Sequence, residues 1–208
     1  MAGENIKMDL FNEIDEHLLI DEKPSKFFRK LMENNIFRNE YPFSMISRLE
    51  ETQQSPVHHP EGNVWNHTLL VLDNAAQVRS MSRDPRVFMW SALLHDVGKA
   101  VTTRLRNGRI TSYDHDKEGE KLAASFLEYF NEDGSFIEKV SKMVRWHMQI
   151  LFVTRNLPFR NIEQMKKEVD IEEIALLGLC DRLGRDREQD VQEEIKVMQN
   201  FIEVCKSN

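Results

Sequence analysis

The sequence predicts an all-α helical bundle with one small β-hairpin near residues 102–112. Three observations predict it. Apolar residues recur at helical spacing through most of the chain. Glycine and proline are sparse, at 8 and 6 of 208 residues, so long helices joined by short connections are expected. The dipeptide Asn107-Gly108 separates two short runs with β-branched residues, the strongest short-range hairpin signal.

Taken in order, Met8 to Ile20 and Ser25 to Glu33 carry helical patterns, and Pro24 marks the start of the second. A short helix is expected around Phe43 to Leu49. The loop QQSPVHHPEGN, with two prolines and a glycine, is the expected boundary between an N-terminal helical extension (1–60) and a main domain (61–208). From about Asn66 to Met81 the stripe His67, Val71, Asn74, Val78 follows helical spacing, with Leu70 beside it. The next helix has clear ends: Asp84 caps it, Pro85 fits its first position, and Gly98 is expected to close it in the left-handed conformation. Between them VFMWSALL is apolar nearly all round, the mark of a buried helix. Helices are expected around 115–131, 135–149 and 171–184. A last one runs from about Glu188 to Cys205, with the packing stripe Val191, Ile195, Met198, Ile202, Cys205.

Composition narrows the class. With 40% apolar and 30% charged residues the chain reads as a soluble globular protein, and no apolar run approaches the roughly 20 residues of a membrane span. The N-terminus lacks the features of a signal peptide, so a cytoplasmic location is expected. A formal net charge of −7 argues against an extensive grip on nucleic acid, while leaving room for a local cluster that takes a phosphate. Cys180 and Cys205 are too few for a disulfide framework and are read as reduced core residues.

Chemistry is concentrated in histidine and aspartate. Chance alone gives roughly 0.4 His-Asp dipeptides in such a chain, so the two present, at 95–96 and 115–116, mean little by themselves. Their phases mean more. His95 and Asp96 end the most buried helix, where an unpaired carboxylate would be costly and calls for a cation. His67 lies on its own inward stripe. His115 is in line with Gly119, Leu122 and Phe126; His147 completes Phe136, Val140, Met143; Asp181 follows Ile174 and Leu177 or Gly178. A lone histidine on an apolar face is usually a satisfied core residue. Five helices each directing a His or Asp to one core read instead as a metal centre built inside a bundle. Imidazole and carboxylate donors suit Fe, Mn, Ni, Co or Zn, and magnesium is also allowed. One partition gives His67, His95, Asp96 and Asp181 to a first ion, with Asp96 bridging to a second held by His115 and His147. Such ions, roughly 3.5–4 Å apart, activate water and clamp a phosphoryl oxygen. Lys99 and Arg185 are read either as phosphate contacts or as salt-bridge partners of the carboxylates. Arg145 and Arg182 are read as solvated charges, His58 and His59 as exposed loop residues without ligand roles, and His17 as structural.

The order His67, His95-Asp96, Asp181 resembles the H…HD…D pattern of the HD-superfamily metal-dependent phosphohydrolases, and the added His115 and His147 resemble members with a binuclear site. The stretches HHPEGNVWNHTLLVLD, ALLHDVGK, GRITSYDHDKEG and CDRLGR are similar, in the same order, to the HD-type C-terminal region of bacterial CCA-adding tRNA nucleotidyltransferases. The likeness runs from about residue 24 to 187. It implies an HD-domain helical bundle, a bridging role for Asp96 and a catalytic role for Lys99. These residues carry no polymerase-type domain, Gly-Ser nucleotide loop or paired strand aspartates, so nucleotide addition is not expected. The expected activity is hydrolysis of a phosphomonoester or phosphodiester of a small nucleotide-type substrate by a metal-activated water. The alternative is a non-catalytic nucleotide- or RNA-binding regulatory module. Oligomeric state is not legible in the sequence.

Overall fold

In the computed structural model, which describes residues 2–185 and 190–207, helices run through nearly the whole chain. They are α1 (Ala2–Ile20), α2 (Ser25–Leu31), α3 (Asn35–Asn39), α4 (Ser44–Ser47), α5 (Val64–Val78), α6 (Pro85–Leu94) and α7 (Lys99–Thr102). After the hairpin come α8 (His115–Tyr129), α9 (Gly134–Trp146), α10 (Gln149–Thr154), α11 (Ile162–Glu168), α12 (Ile171–Leu183) and α13 (Val191–Ser207). The short helices α3, α10 and α11 were not expected from the periodicity. The expected start of the last helix at Glu188 lies outside the described residues. No helix among the described residues is long and apolar enough to cross a membrane.

The helix ends follow from side-chain chemistry. Asp84 accepts a hydrogen bond from the Val87 amide, and Pro85 takes the first helical position of α6. Asn63 caps α5 by accepting from the Asn66 amide and donates its own amide to Glu50 O. Asp133 and Asp170 cap α9 and α12 in the same way. The hairpin pairs β1 (Arg104–Arg106) with β2 (Arg109–Thr111), antiparallel, with Leu105 opposite Ile110. Asn107 and Gly108 both have positive φ, 49° and 73°, which a two-residue turn of matching twist requires.

Helix α6 is the axis of the molecule. Every residue from Val87 to Leu94 is buried, and α1, α5, α9 and α12 pack round it. From α1, Phe11 stacks between Trp90 (4.8 Å) and Phe130 (4.3 Å), while Asp15 accepts from Trp90 Nε1 and Arg86 Nε. One apolar core therefore runs from Leu10 in α1 to Cys205 in α13. The buried side of α5 carries Val64, His67, Thr68, Val71, Leu72 and Ala75; Asn74, assigned to the inward stripe, is only half-buried. In α13, Val191 is 49% exposed instead of packed, and Glu194 takes an inward position that pairs with Arg182.

Gly98 does not do what its sequence position suggested. Its φ is −65°, an ordinary helical value, so no left-handed closure occurs there. A Cβ at Gly98 would lie 2.0 Å from His115 O and 2.6 Å from Gly119 N. The glycine is required because the start of α8 passes directly against the turn after α6, and that approach sets His115 beside Asp96.

Candidate metal centre

Six side chains meet where α5, α6, α8, α9 and α12 converge. His67 comes from the first turn of α5, and His95 is the residue that closes α6, with Asp96 in the turn beyond. His115 opens α8, His147 closes α9, and Asp181 lies in the last turn of α12. His67, His95, Asp96, His115 and His147 are all buried, and Asp181 is half-buried on the wall of a cleft of about 320 Å³.

The two oxygens of Asp96 face different partners. Oδ2 lies 3.3 Å from His95 Nε2, 3.9 Å from His67 Nε2 and 2.7 Å from Lys99 Nζ. Oδ1 lies 3.4 Å from His115 Nε2 and 3.7 Å from His147 Nε2. Two compact donor groups result, His67–His95–Asp96 and Asp96–His115–His147, with Asp96 common to both. Asp181 Oδ1 stands 3.0 Å from His67 Nε2.

The histidines are oriented from behind by a repeated device. Nδ1–H of His95 donates to Ala92 O (2.8 Å), that of His115 to Ser112 O (2.8 Å) and that of His147 to Val144 O (2.6 Å), each three residues back. A carbonyl can only accept, so the proton is on Nδ1, and each Nε2 presents a lone pair to the centre. His115 Nε2 and His147 Nε2 then face each other at 3.2 Å with no proton between them. His95 Nε2 is buried without a hydrogen-bond partner among the described residues, and Asp96 Oδ2 has the Lys99 ammonium at 2.7 Å. A cluster of buried acceptors aimed at one another fits a divalent cation, which is the donor chemistry that one or two such ions take.

Charge in the cluster is polarised. Burial opposes ionisation of Asp96, but the Lys99 ammonium at 2.7 Å holds its carboxyl well below the usual carboxylate range. Asp181 is held low in the same sense, against burial, by its bond to His67 and by Arg185. Burial would lower the His67 pKa, yet hydrogen bonds to Asp181 and Glu61 push it up to about 9. Burial and the facing His115 push His147 down to about 4, and burial lowers His115 as well.

The sequence reading missed several neighbours, two of them in the loop taken as a boundary. Glu61 Oε1 lies 3.0 Å from His67 Nδ1 and 2.7 Å from His59 Nδ1, so it orients a ring of the centre and a ring of the cleft wall together. Gln54 Oε1 accepts from Lys99 Nζ at 2.8 Å. Neither residue has a periodicity that marks it; a carboxylate just before a capped helix is the one available signal for Glu61. Ile110 and Ser112 bring the end of the hairpin into the cleft, and Met148, Leu151 and Arg155 bring α10. Arg185 lines it too, half-buried, and His58 is exposed at its rim. His59, expected to be exposed, is half-buried because Glu61 draws it inward.

Two arginines expected to be solvated are paired. Arg145 binds Asp116 and lies over the Trp146 ring, and Arg182 binds Glu194; in both pairs the side chains are less than one-fifth exposed. His17, stacked on Phe27 at 3.8 Å and bonded to Asp21, is a structural histidine. Cys180 and Cys205 are buried free thiols, and burial raises the pKa of both.

Comparison with known proteins shows the family. Residues 64–186 match the HD domain family. The chain is 27% identical over 190 residues to a protein named Multifunctional CCA protein from Methylococcus capsulatus, an alignment covering 91% of this chain and 38% of that protein. A protein of the same name from Halorhodospira halophila is 38% identical over 103 residues, half of this chain and 23% of that one. The one from Laribacter hongkongensis is 24% identical over 196 residues, 91% of this chain and 46% of that protein. The chain spans less than half the length of each. The family match starts at the first residue of α5, takes in all six converging side chains and covers more than half of the sequence, so the chain belongs to the HD domain family and is related to the CCA-adding enzymes.

Proposed function

We propose that the cleft hydrolyses a phosphomonoester or phosphodiester of nucleotide type, using one or two divalent ions held by His67, His95, Asp96, His115, His147 and Asp181. The observation that carries this reading is the division of Asp96, with one oxygen toward His67 and His95 and the other toward His115 and His147. Divalent ions bound to such a set supply Lewis acidity toward a phosphoryl oxygen and lower the pKa of water. The protein's own residues do the rest. Asp96 remains an anion common to both donor groups and orients the attacking water. Lys99, at the start of α7 and on the cleft wall, neutralises charge on the phosphoryl oxygens, and Arg185 does so from beside Asp181. Ile110, Met148 and Leu151 give the outer cleft an apolar wall suited to the nucleoside part of a substrate.

A second reading, a nucleotide- or RNA-binding module without turnover, draws support from the 2.7 Å Lys99–Asp96 contact, which gives the carboxylate a cation of the protein's own. One experiment separates the two. Protein purified and analysed for metal is assayed with bis-p-nitrophenyl phosphate and nucleoside 2′,3′-cyclic phosphates in the presence of Mn, Ni, Co or Mg. Metal-dependent turnover is expected, falling about a thousandfold or more in Asp96→Ala, since Lewis-acid stabilisation is several kcal/mol. Absence of turnover with every metal, or activity indifferent to Asp96→Ala, removes the hydrolase reading.

A further inference from the structure

We propose that Gln54 is a substrate-binding residue whose side-chain amide donates a hydrogen bond to a phosphoryl oxygen in the cleft. The proposal rests on the reading of the cleft as a phosphate-ester site. Gln54 lies outside the stretch that matches the HD domain family and comes from the loop that leads into α5. It is 7% exposed and lines the cleft together with Lys99, Asp96 and Arg185.

The orientation of its amide is determined by its neighbour. Lys99 Nζ has only protons to give, so the Gln54 atom 2.8 Å from it is the carbonyl Oε1. The two protons on Nε2 are thereby committed to the other side, and Nε2 is buried with no acceptor among the described residues. A buried amide nitrogen without an acceptor forfeits the whole of its hydration, and native interiors rarely keep one unless a ligand or water completes it. The groups that share this wall tell which acceptor is missing. Lys99 and Arg185 bring positive charge, and the centre below is set for cations, so an anionic oxygen is the complement. Gln54 then adds direction without further charge. Lys99 holds the amide in register, and the amide reads an oxygen of the same phosphoryl group that Lys99 neutralises.

The full chain is tested in two variants, Gln54→Met and Gln54→Glu, with inorganic phosphate as the probe. Binding is measured by calorimetry at a fixed excess of Mn, with metal content and thermal unfolding recorded alongside. Removing the donor in Gln54→Met is expected to weaken phosphate binding about tenfold at unchanged metal content. In Gln54→Glu the expected loss is larger, because a carboxylate would face the anion. A residue that merely anchors Lys99 predicts the reverse, since a carboxylate anchors an ammonium at least as well as an amide. Gln54→Glu is close to isosteric and keeps a partner for Lys99, so it decides the matter even where Gln54→Met loosens the loop. Phosphate binding by Gln54→Glu as tight as in the natural protein overturns the proposal, as does a natural protein that binds no phosphate. Binding that depends on Gln54 in a protein with no turnover of any ester leaves this assignment standing and removes the hydrolase reading.

Discussion

On one side of Asp96, His67 lies between two carboxylates, with Asp181 at 3.0 Å from one ring nitrogen and Glu61 at 3.0 Å from the other. On the other side, His115 and His147 point lone pairs at each other across 3.2 Å, and both have their protons committed to backbone carbonyls. The first arrangement can satisfy itself with a proton, which is why the His67 pKa rises to about 9. The second cannot, and the His147 pKa falls to about 4. Without an ion, one half of the cluster is an internal ion pair and the other is a pair of opposed acceptors. The second half therefore states the need for a cation more directly than the first.

This contrast predicts unequal costs for the same kind of substitution in metal-free protein. His67→Leu takes from the largely buried carboxylates of Asp181 and Glu61 the ring they share, an expected loss of about 3 kcal/mol. His147→Leu removes one of two opposed acceptors and replaces a buried polar ring with an apolar group, with an expected change below about 1 kcal/mol. Urea unfolding in the presence of a chelator measures both. Equal losses would mean that the two halves are not distinct in the way their hydrogen bonds imply.

The halves also differ in what stands behind the rings. His95, His115 and His147 are held by backbone carbonyls, which no substitution removes, but His67 leans on the Glu61 side chain as well as on Gly184 O. Glu61→Gln is expected to weaken metal binding at the His67 half about tenfold and to leave the His115 half unchanged. Competition with a coloured chelator resolves the two steps. A loss shared by both steps would show that Glu61 acts on the fold and not on one ring.

The same distinction explains which parts were legible in the sequence. Residues on long helices announce themselves by phase, so His67, His115, His147 and Asp181 could be set on inward faces, and the ends of α6 followed from Asp84 and Pro85. The hairpin turn was equally local, since Asn-Gly supplies the two positive φ values without help from elsewhere. What depended on contacts between elements was not legible. Gly98 looked like a helix stop, yet its role is the 2.0 Å clash that any Cβ would make with α8, a fact about a segment 17 residues on. Glu61 and Gln54 sit in an aperiodic loop whose prolines and glycine read as a domain boundary, though Gln54 is buried against the centre. Charged residues of one helix reveal nothing of the partner another helix brings, and so Arg145 and Arg182 were taken as solvated.

Arg145 gives the finest test of the contrast, because its pair with Asp116 bridges α8 and α9 just behind His115 and His147. Asp116 follows His115 in the chain, and Arg145 precedes His147 by two residues. The pair thus braces the half whose rings are backed by the carbonyls of Ser112 and Val144. Side-chain exposure of 19% for Arg145 and 11% for Asp116 places it between a surface bridge and a fully buried one. Arg145→Met keeps the contact over Trp146 and removes the charge, and is expected to cost about 1 kcal/mol in stability. Its effect on metal should be small, a few-fold at the His115 half, because Ser112 O and Val144 O still fix both rings. The His67 half should not respond. A loss at Arg145→Met as large as that at Glu61→Gln would mean that the backbone carbonyls do not suffice to aim His115 and His147, and that both halves are held by side chains.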